Sequence, residues 1–438
     1  MLRLNLRRLD RTRLRRAAPL ALAGAILAVF VIPGPDGAAA SPPAGLECLS
    51  SPTNSFTLTA MGGYMSTPDG NSIFMWSYAP SGGTFQLPGP TMCVDSGAKV
   101  TVVLHNALPE PTSLIFPGQV QVLADGRPAQ PETDLSGNLT SLTTSAAANT
   151  GAVTYTFTAG PPGTYLYTSG TDVQKQQQMG LFGGLVVRPA AHRDWENNRA
   201  DSAFEPNHEY LYLLSEVDPD LHLAVERRRG YDFTKFRARY FLINGRSMPD
   251  TISPNRAAWL PNQPYGALIH IRPYDAVNNP KPALIRYLNA GSVSYPFHPH
   301  GSDEQLIARD GHPAAGPSGQ DLSFANFLID VAPGQTADTL MIWKDIEHWS
   351  PTNPIPVPLP QLQDQLVGPG TETWFSEDPY LGGNLGELPP GVVQNNQCGE
   401  YYHVAHSHAL EQSTNYGASF GGMMTLIRID PPAGCPAQ

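Results

Sequence analysis

One short pattern occurs twice in this chain. Ser169 is followed thirteen positions later by Phe182-Gly183-Gly184, and Ser407 thirteen positions later by Phe420-Gly421-Gly422. Laying the two frames over each other puts Thr168-Ser169-Gly170 on His406-Ser407-His408. Upstream, the same alignment puts Ile115-Phe116-Pro117-Gly118 on His298-Pro299-His300-Gly301. Self-similarity of this kind marks one structural unit used more than once. Gly118 to Ser169 spans 51 residues and Gly301 to Ser407 spans 106; an irregular Pro-rich stretch at 349–399 accounts for the difference. The pattern therefore predicts two copies of one domain, with histidines at the matched positions only in the second.

The unit is built of strands. Lys99 to His105 (KVTVVLH) and Val153 to Thr158 (VTYTFT) alternate polar and apolar residues, the period of a half-buried strand. Glu209 to Leu214, Phe241 to Gly245, Ala267 to Arg272 and Ala283 to Asn289 are apolar runs of strand length. With 41 Gly and 44 Pro in 438 residues, and charged residues at 15% against a typical ~25%, the chain has the composition of a turn-rich β protein. The fold class expected is all-β. Residues 41–190 form the first domain, 191–207 a polar linker and 208–438 the second domain, with 349–399 inserted as a surface loop or partner-binding arm.

Residues 1–40 read as an export signal: seven arginines, an apolar run from Ala17 to Ile32, then Ala38-Ala39-Ala40 before Ser41. The run is shorter than a membrane span and is closed by Pro33-Gly34-Pro35, so no stable span is expected after cleavage. The secretory and twin-arginine routes stay open. Removing seven Arg and two Asp takes the formal net charge from −11 to −16, which argues against nucleic acid and anionic membranes as partners. The location expected is periplasmic or extracellular, where four cysteines suit disulfides. Three pairings can be drawn; Cys48 with Cys93 and Cys398 with Cys435 are favoured because each ties a terminus to its nearest domain.

Five of the twelve histidines sit in two stretches, YPFHPHG (295–301) and YYHVAHSHALEQ (401–412). Residues two apart in a strand share a face, so His298 with His300, and His406 with His408, each aim two imidazoles in one direction. An all-imidazole set suits copper or zinc. His403 is a spare candidate, and Asp303, Glu304 or Glu411 could orient the rings. Pro299, unable to donate to a ladder, places this segment at a sheet edge or strand end. His105 and His270 fall in strand patterns and are expected to be packed; His192, His208, His222, His312 and His348 are expected to face solvent. The chain has no Ser-His-Asp set of recognisable spacing, no phosphate-cradling Gly loop and no haem-type Cys-x-x-Cys-His.

Taken together, PGPTMCVDSGAKVTVVLHNALPEP, GTYLYTSG with MGLFGGLVVRP, FLINGRSMPDT, LNAGSVSYPFHPHGSDEQLIARDG and HSHALEQ with GGMMTLIRI resemble the multicopper oxidase family over essentially the whole exported chain. The resemblance implies two Greek-key cupredoxin-like barrel or sandwich domains. In active members it also implies a type 1 copper feeding a trinuclear copper cluster. The family's His-Pro-x-His-x-His stands here as Tyr295-Pro296-Phe297-His298-Pro299-His300, and its His-Cys-His as His406-Ser407-His408. Gln412 stands where the family has its other type 1 histidine. The resemblance thus keeps four of eight cluster ligands, His298, His300, His406 and His408, and loses the type 1 site. A serine hydroxyl cannot supply the soft thiolate of a blue copper centre.

Two readings stay open. In the first, the chain is an exported, copper-binding, multicopper-oxidase-like protein with a reduced all-histidine site in its second domain. If it is an enzyme, it is a copper-dependent oxidoreductase served by a small-molecule reductant or protein partner, without conventional laccase activity. In the second, it is a catalytically silent scaffold that binds a partner. A homo-oligomer is compatible with both, although a first domain without ligands removes one reason for it.

Overall fold

The computed structural model describes residues 45–344 and 401–430. The expected signal segment, the 349–399 insert, His348 and the Cys398–Cys435 pair lie outside the described residues. Within them the protein is built from β-sheets with short helices between. In the first half, Ser72–Pro80, Ser55–Ser66, Lys99–Asn106 and Ala152–Thr158 lead a six-stranded sheet, faced by a three-stranded sheet of Gly163–Thr168, Phe182–Arg188 and Met92–Asp95. In the second half, a nine-stranded sheet containing Glu209–Val217, Ala283–Asn289 and Thr336–Met341 faces a five-stranded sheet. The order of the latter is Ile269–Ile271, Met424–Ile429, Tyr401–Ser407, Tyr295–Pro299, Ile329–Val331. Each half also repeats one unusual pairing: its opening strand runs parallel to a later one, Ser55–Ser66 to Lys99–Asn106 and Glu209–Val217 to Ala283–Asn289.

Alternation sets the cores. In Lys99–Asn106, Val100, Val102 and Leu104 are buried while Lys99 and His105 are exposed. His105 therefore faces out rather than packing, because it falls on the polar phase of its own strand. Glu209–Val217 is buried along its whole length because both of its faces are covered. Tyr210, Tyr212 and Leu214 point into the second half's core with Ile285, Tyr287 and Phe297. Leu211, Leu213 and Val217 meet Met75, Leu87, Leu166 and Val186 of the first half in a core shared by both. Such a continuous apolar run reads as a strand enclosed on two sides.

A buried ion network crosses the same seam. Arg286, fully buried, donates to Glu209 at 2.8 Å, to the Thr164 hydroxyl at 2.8 Å and to Asp338 at 3.4 Å. Arg188 donates to the other oxygen of Glu209 at 2.7 Å. Burial alone would raise the Glu209 pKa, but the two guanidinium groups outweigh it and hold the carboxyl below its ordinary value. The 191–207 stretch contributes buried Glu196, Asn197, Ser202 and Phe204. Glu196, close to Asp338, is pushed well up, by burial first and by that like charge second.

The expected Cys48–Cys93 disulfide is formed, with Cα atoms 5.5 Å apart. His222, expected in solvent, is buried instead. Its helix, Pro219–Glu226, lies on the Ser72–Pro80 strand, and its Nδ1 stands 2.6 Å from the Phe74 carbonyl. Burial lowers its pKa to about 4, so it is neutral near pH 7.

Candidate metal centre

Strand register brings the two histidine stretches together. Tyr295–Pro299 pairs antiparallel with Tyr401–Ser407, with Phe297 opposite Ser407 and His298 opposite His406. Opposed residues share a face, so His298 and His406 point the same way. The ladder runs on past Pro299: the His300 amide donates to Val404 at 2.9 Å and the His408 amide to Pro296 at 2.7 Å. Pro299 is accommodated as the last residue of its strand, and that strand is paired on both sides. Of the two placements expected for Pro299, the strand end is the one found.

The four rings form a cluster in which His298, His300 and His406 are half-buried and His408 is exposed. Centroid separations are 4.5 Å for His298–His300, 5.2 Å for His298–His408, 5.4 Å for His300–His406, 5.8 Å for His298–His406 and 5.9 Å for His406–His408. His298 Nδ1 lies 2.5 Å from the Phe327 carbonyl, and His406 Nδ1 lies 2.8 Å from the Ser407 carbonyl. A carbonyl can only accept, so the hydrogen-bond network assigns the proton to Nδ1 on both rings and leaves each Nε2 a lone pair. Burial, then the neighbouring imidazoles, lower the His406 pKa to about 4, against the Ser407 carbonyl bond. At neutral pH the ring is uncharged, the form that ligates a metal.

The donor set fits a metal at one point. His300 Nε2 and His406 Nε2 stand 3.3 Å apart. Two nitrogens each about 2.0–2.1 Å from one ion at a tetrahedral angle stand about 3.3–3.4 Å apart. Among the described residues, no group of three or more His, Cys, Asp or Glu is already disposed around one ion position. The observed pre-arrangement is therefore of a pair of nitrogens, with His298 and His408 beside it.

Other expected participants lie elsewhere. Glu304 is buried in the core, where it accepts from the Tyr287 hydroxyl at 3.0 Å and the Thr339 hydroxyl at 2.5 Å. Asp303 and Glu411 are exposed. The ring-orienting acceptors at His298 and His406 are main-chain carbonyls, not carboxylates. Phe327 was thus missed in the sequence, since every residue offers a carbonyl and only the fold shows which one reaches the ring. His403, on the opposite face of its strand from His406, packs against Gly301 and Trp343.

The three positions where the resemblance places type 1 ligands have become hydrogen-bonding positions. The Ser407 hydroxyl donates to Gln412 Oε1 at 2.5 Å, and Gln412 Nε2 donates to the Ser294 carbonyl at 3.2 Å. The buried Tyr295 hydroxyl donates to Glu216, whose other oxygen accepts from Gln178 at 2.6 Å and from the Ser292 hydroxyl at 2.7 Å. In the first half, Ile115 bridges Thr168 in the same antiparallel sense as His298 and His406, as the repeat predicts. There, a Cβ on Gly170 would stand 2.7 Å from the Ile115 side chain. An imidazole has no room.

Comparison with known proteins bears on the fold. Residues 82–192 match the family model described as multicopper oxidase. That stretch of the first half is similar to a multicopper oxidase domain. Over the larger chain, the Blue Copper Oxidase from Nitrosomonas europaea superposes with a TM-score of 0.56 at 18% identity, covering 86% of this chain and 85% of its own. The Multicopper Oxidase mgLAC gives 0.57 at 18% identity, covering 88% and 87%. The Cu-containing nitrite reductase from Thermus scotoductus SA-01 gives 0.50 at 16% identity, covering 88% and 63%. These likenesses establish the all-β cupredoxin fold. No curated protein matches. Copper is the metal the family implies, and these comparisons lend zinc no support. Among the described residues, no helix is long and apolar enough to cross a membrane.

Proposed function

We propose that this is an exported copper-binding protein of the multicopper oxidase type, whose metal is held by His300 and His406 with His298 and His408 beside them. The observation that carries the reading is the 3.3 Å separation of His300 Nε2 and His406 Nε2, with main-chain carbonyls holding the protons of His298 and His406 on Nδ1. Copper bound there would supply one-electron redox chemistry. The protein's own part is to present His406 as a neutral imidazole with its proton held on Nδ1, and to leave His408 exposed toward an external reductant. With Ser407, Gln412 and Tyr295 committed to hydrogen bonds, electrons would reach the site directly from a small molecule or a protein partner.

The test is to load the purified chain with copper(II), remove the excess, and record metal content and electron paramagnetic resonance. We expect near-stoichiometric copper, nitrogen hyperfine structure and no intense blue absorption. Copper well below stoichiometry would reject the site and favour a silent scaffold, a role to which the hydrogen-bonded Ser407–Gln412 pair is equally suited.

A further inference from the structure

A cavity of about 410 Å³ opens at the seam of the two halves, between the strand Ser72–Pro80 and the helix Pro219–Glu226. Two carboxylates, Asp69 and Glu226, meet three aromatic rings there, Phe74, Tyr240 and Tyr416. Asp69 accepts from the Tyr240 hydroxyl at 2.7 Å and from the Thr67 hydroxyl. Burial opposes its ionisation, but the hydrogen bonds from Thr67, Tyr240 and Asn71 outweigh it and hold its pKa below the ordinary value. Glu226 accepts from the Tyr64 hydroxyl at 2.6 Å. Both carboxylates are thus held by neutral donors, and no Lys or Arg stands among the lining residues described. Arg227, Arg228 and Arg229 follow Glu226 directly, and Arg239 lies 4.8 Å from the Tyr416 ring centre, yet none of the four lines the cavity. His222, neutral through burial, adds no positive charge to the wall.

We propose that this cavity binds an organic ammonium ion with an aromatic or apolar body. Carboxylates accept strong charge-assisted hydrogen bonds from an ammonium group. Aromatic faces attract cations through their quadrupole, and rings with a few placed polar groups at a seam between packed units are the usual make-up of a small-molecule site. Tyr416 in its lining is 55% exposed, so a ligand would cover apolar surface that now faces water. The site shares no residue with the histidine cluster, and its occupancy does not depend on copper.

Titration calorimetry of the purified chain with phenethylammonium chloride tests this, beside 2-phenylethanol and phenylacetate as neutral and anionic probes of the same body. The ammonium ion should bind at least about tenfold more tightly than the alcohol, and phenylacetate should not bind. Glu226→Gln and Tyr416→Ala change exposed side chains, with circular dichroism as the check on folding, and each should weaken ammonium binding several-fold. Equal affinity for ammonium and alcohol, absence of ammonium binding, or binding unchanged in both variants would each overturn the proposal.

Discussion

The two halves of this protein hold one strand crossing in two chemical states. Ile115 opposes Thr168 as His298 opposes His406, and a serine follows each of the second partners. In the first half the neighbouring position is Gly170, pressed against Ile115, and Ser169 donates to Gln176 at 2.6 Å. In the second half His408 stands there, and four imidazoles face one another. The strand crossing is the same in both halves; the side chains at four register positions are what differ. Both serines donate to a glutamine carboxamide, so the two halves share this hydrogen bond.

The sharpest way to break this contrast is to make the second half resemble the first. His300→Ala with His406→Ala removes the two nitrogens 3.3 Å apart. Stoichiometric copper should vanish by metal analysis, while circular dichroism stays unchanged because both rings are only half-buried. Retention of copper by the double variant would place the metal elsewhere.

A second prediction concerns what joins the halves. Arg286→Ala leaves Asp338 without its guanidinium partner and Glu209 with Arg188 alone. Breaking a buried ion pair by removing one partner costs about 3–5 kcal/mol. Urea denaturation should show a loss of that order. A loss below about 1 kcal/mol would mean that the shared apolar core around Leu213 and Val186 holds the seam without help from the charges.

What could be read from the sequence follows from what the sequence encodes locally. Period-2 alternation is a feature of neighbouring residues, and the Ser-to-Phe-Gly-Gly spacing and the Cys48–Cys93 pair each lie within one half of the chain; the fold carries all three. The repeat aligns Ile115 with His298 and Thr168 with His406, and the fold pairs the members of each set. Long-range burial was not legible. His222 looks like a surface histidine until the Ser72–Pro80 strand covers its helix. Glu304, three residues from a Gly turn and beside the histidine stretch, looks like a ring-orienting carboxylate. Only the sheet phase shows that it points into the core with Tyr287.

Glu304 gives the third prediction, since the carboxyl meant for the site has become part of the second half's interior. Burial raises its pKa from 4.5 to about 7, against the lowering effect of the Thr339 and Tyr287 hydroxyls. The folded state therefore binds more protons than the unfolded state between those values. Stability is highest below about pH 4.5 as far as this group is concerned, and falls as pH rises toward 7, by about 3 kcal/mol in all. Glu304→Gln should flatten that fall in denaturation measured across the window. An unchanged slope would show that another group carries it.

The smallest effect expected is the most specific test of the three positions where the resemblance places type 1 ligands. Ser407→Cys restores the thiolate position of the resemblance but neither imidazole. Gln412 still offers an amide, and Tyr295 stays hydrogen-bonded to Glu216. The variant should lose about 1 kcal/mol with the serine-to-glutamine bond, bind copper at the histidines as before, and remain without an intense blue band on copper loading. A blue band would mean that another pair of imidazoles reaches position 407. The register argues against it: His298 and His406 lie on the opposite face of the strand pair from Ser407 and Phe297, so their nitrogens point away from the introduced sulfur.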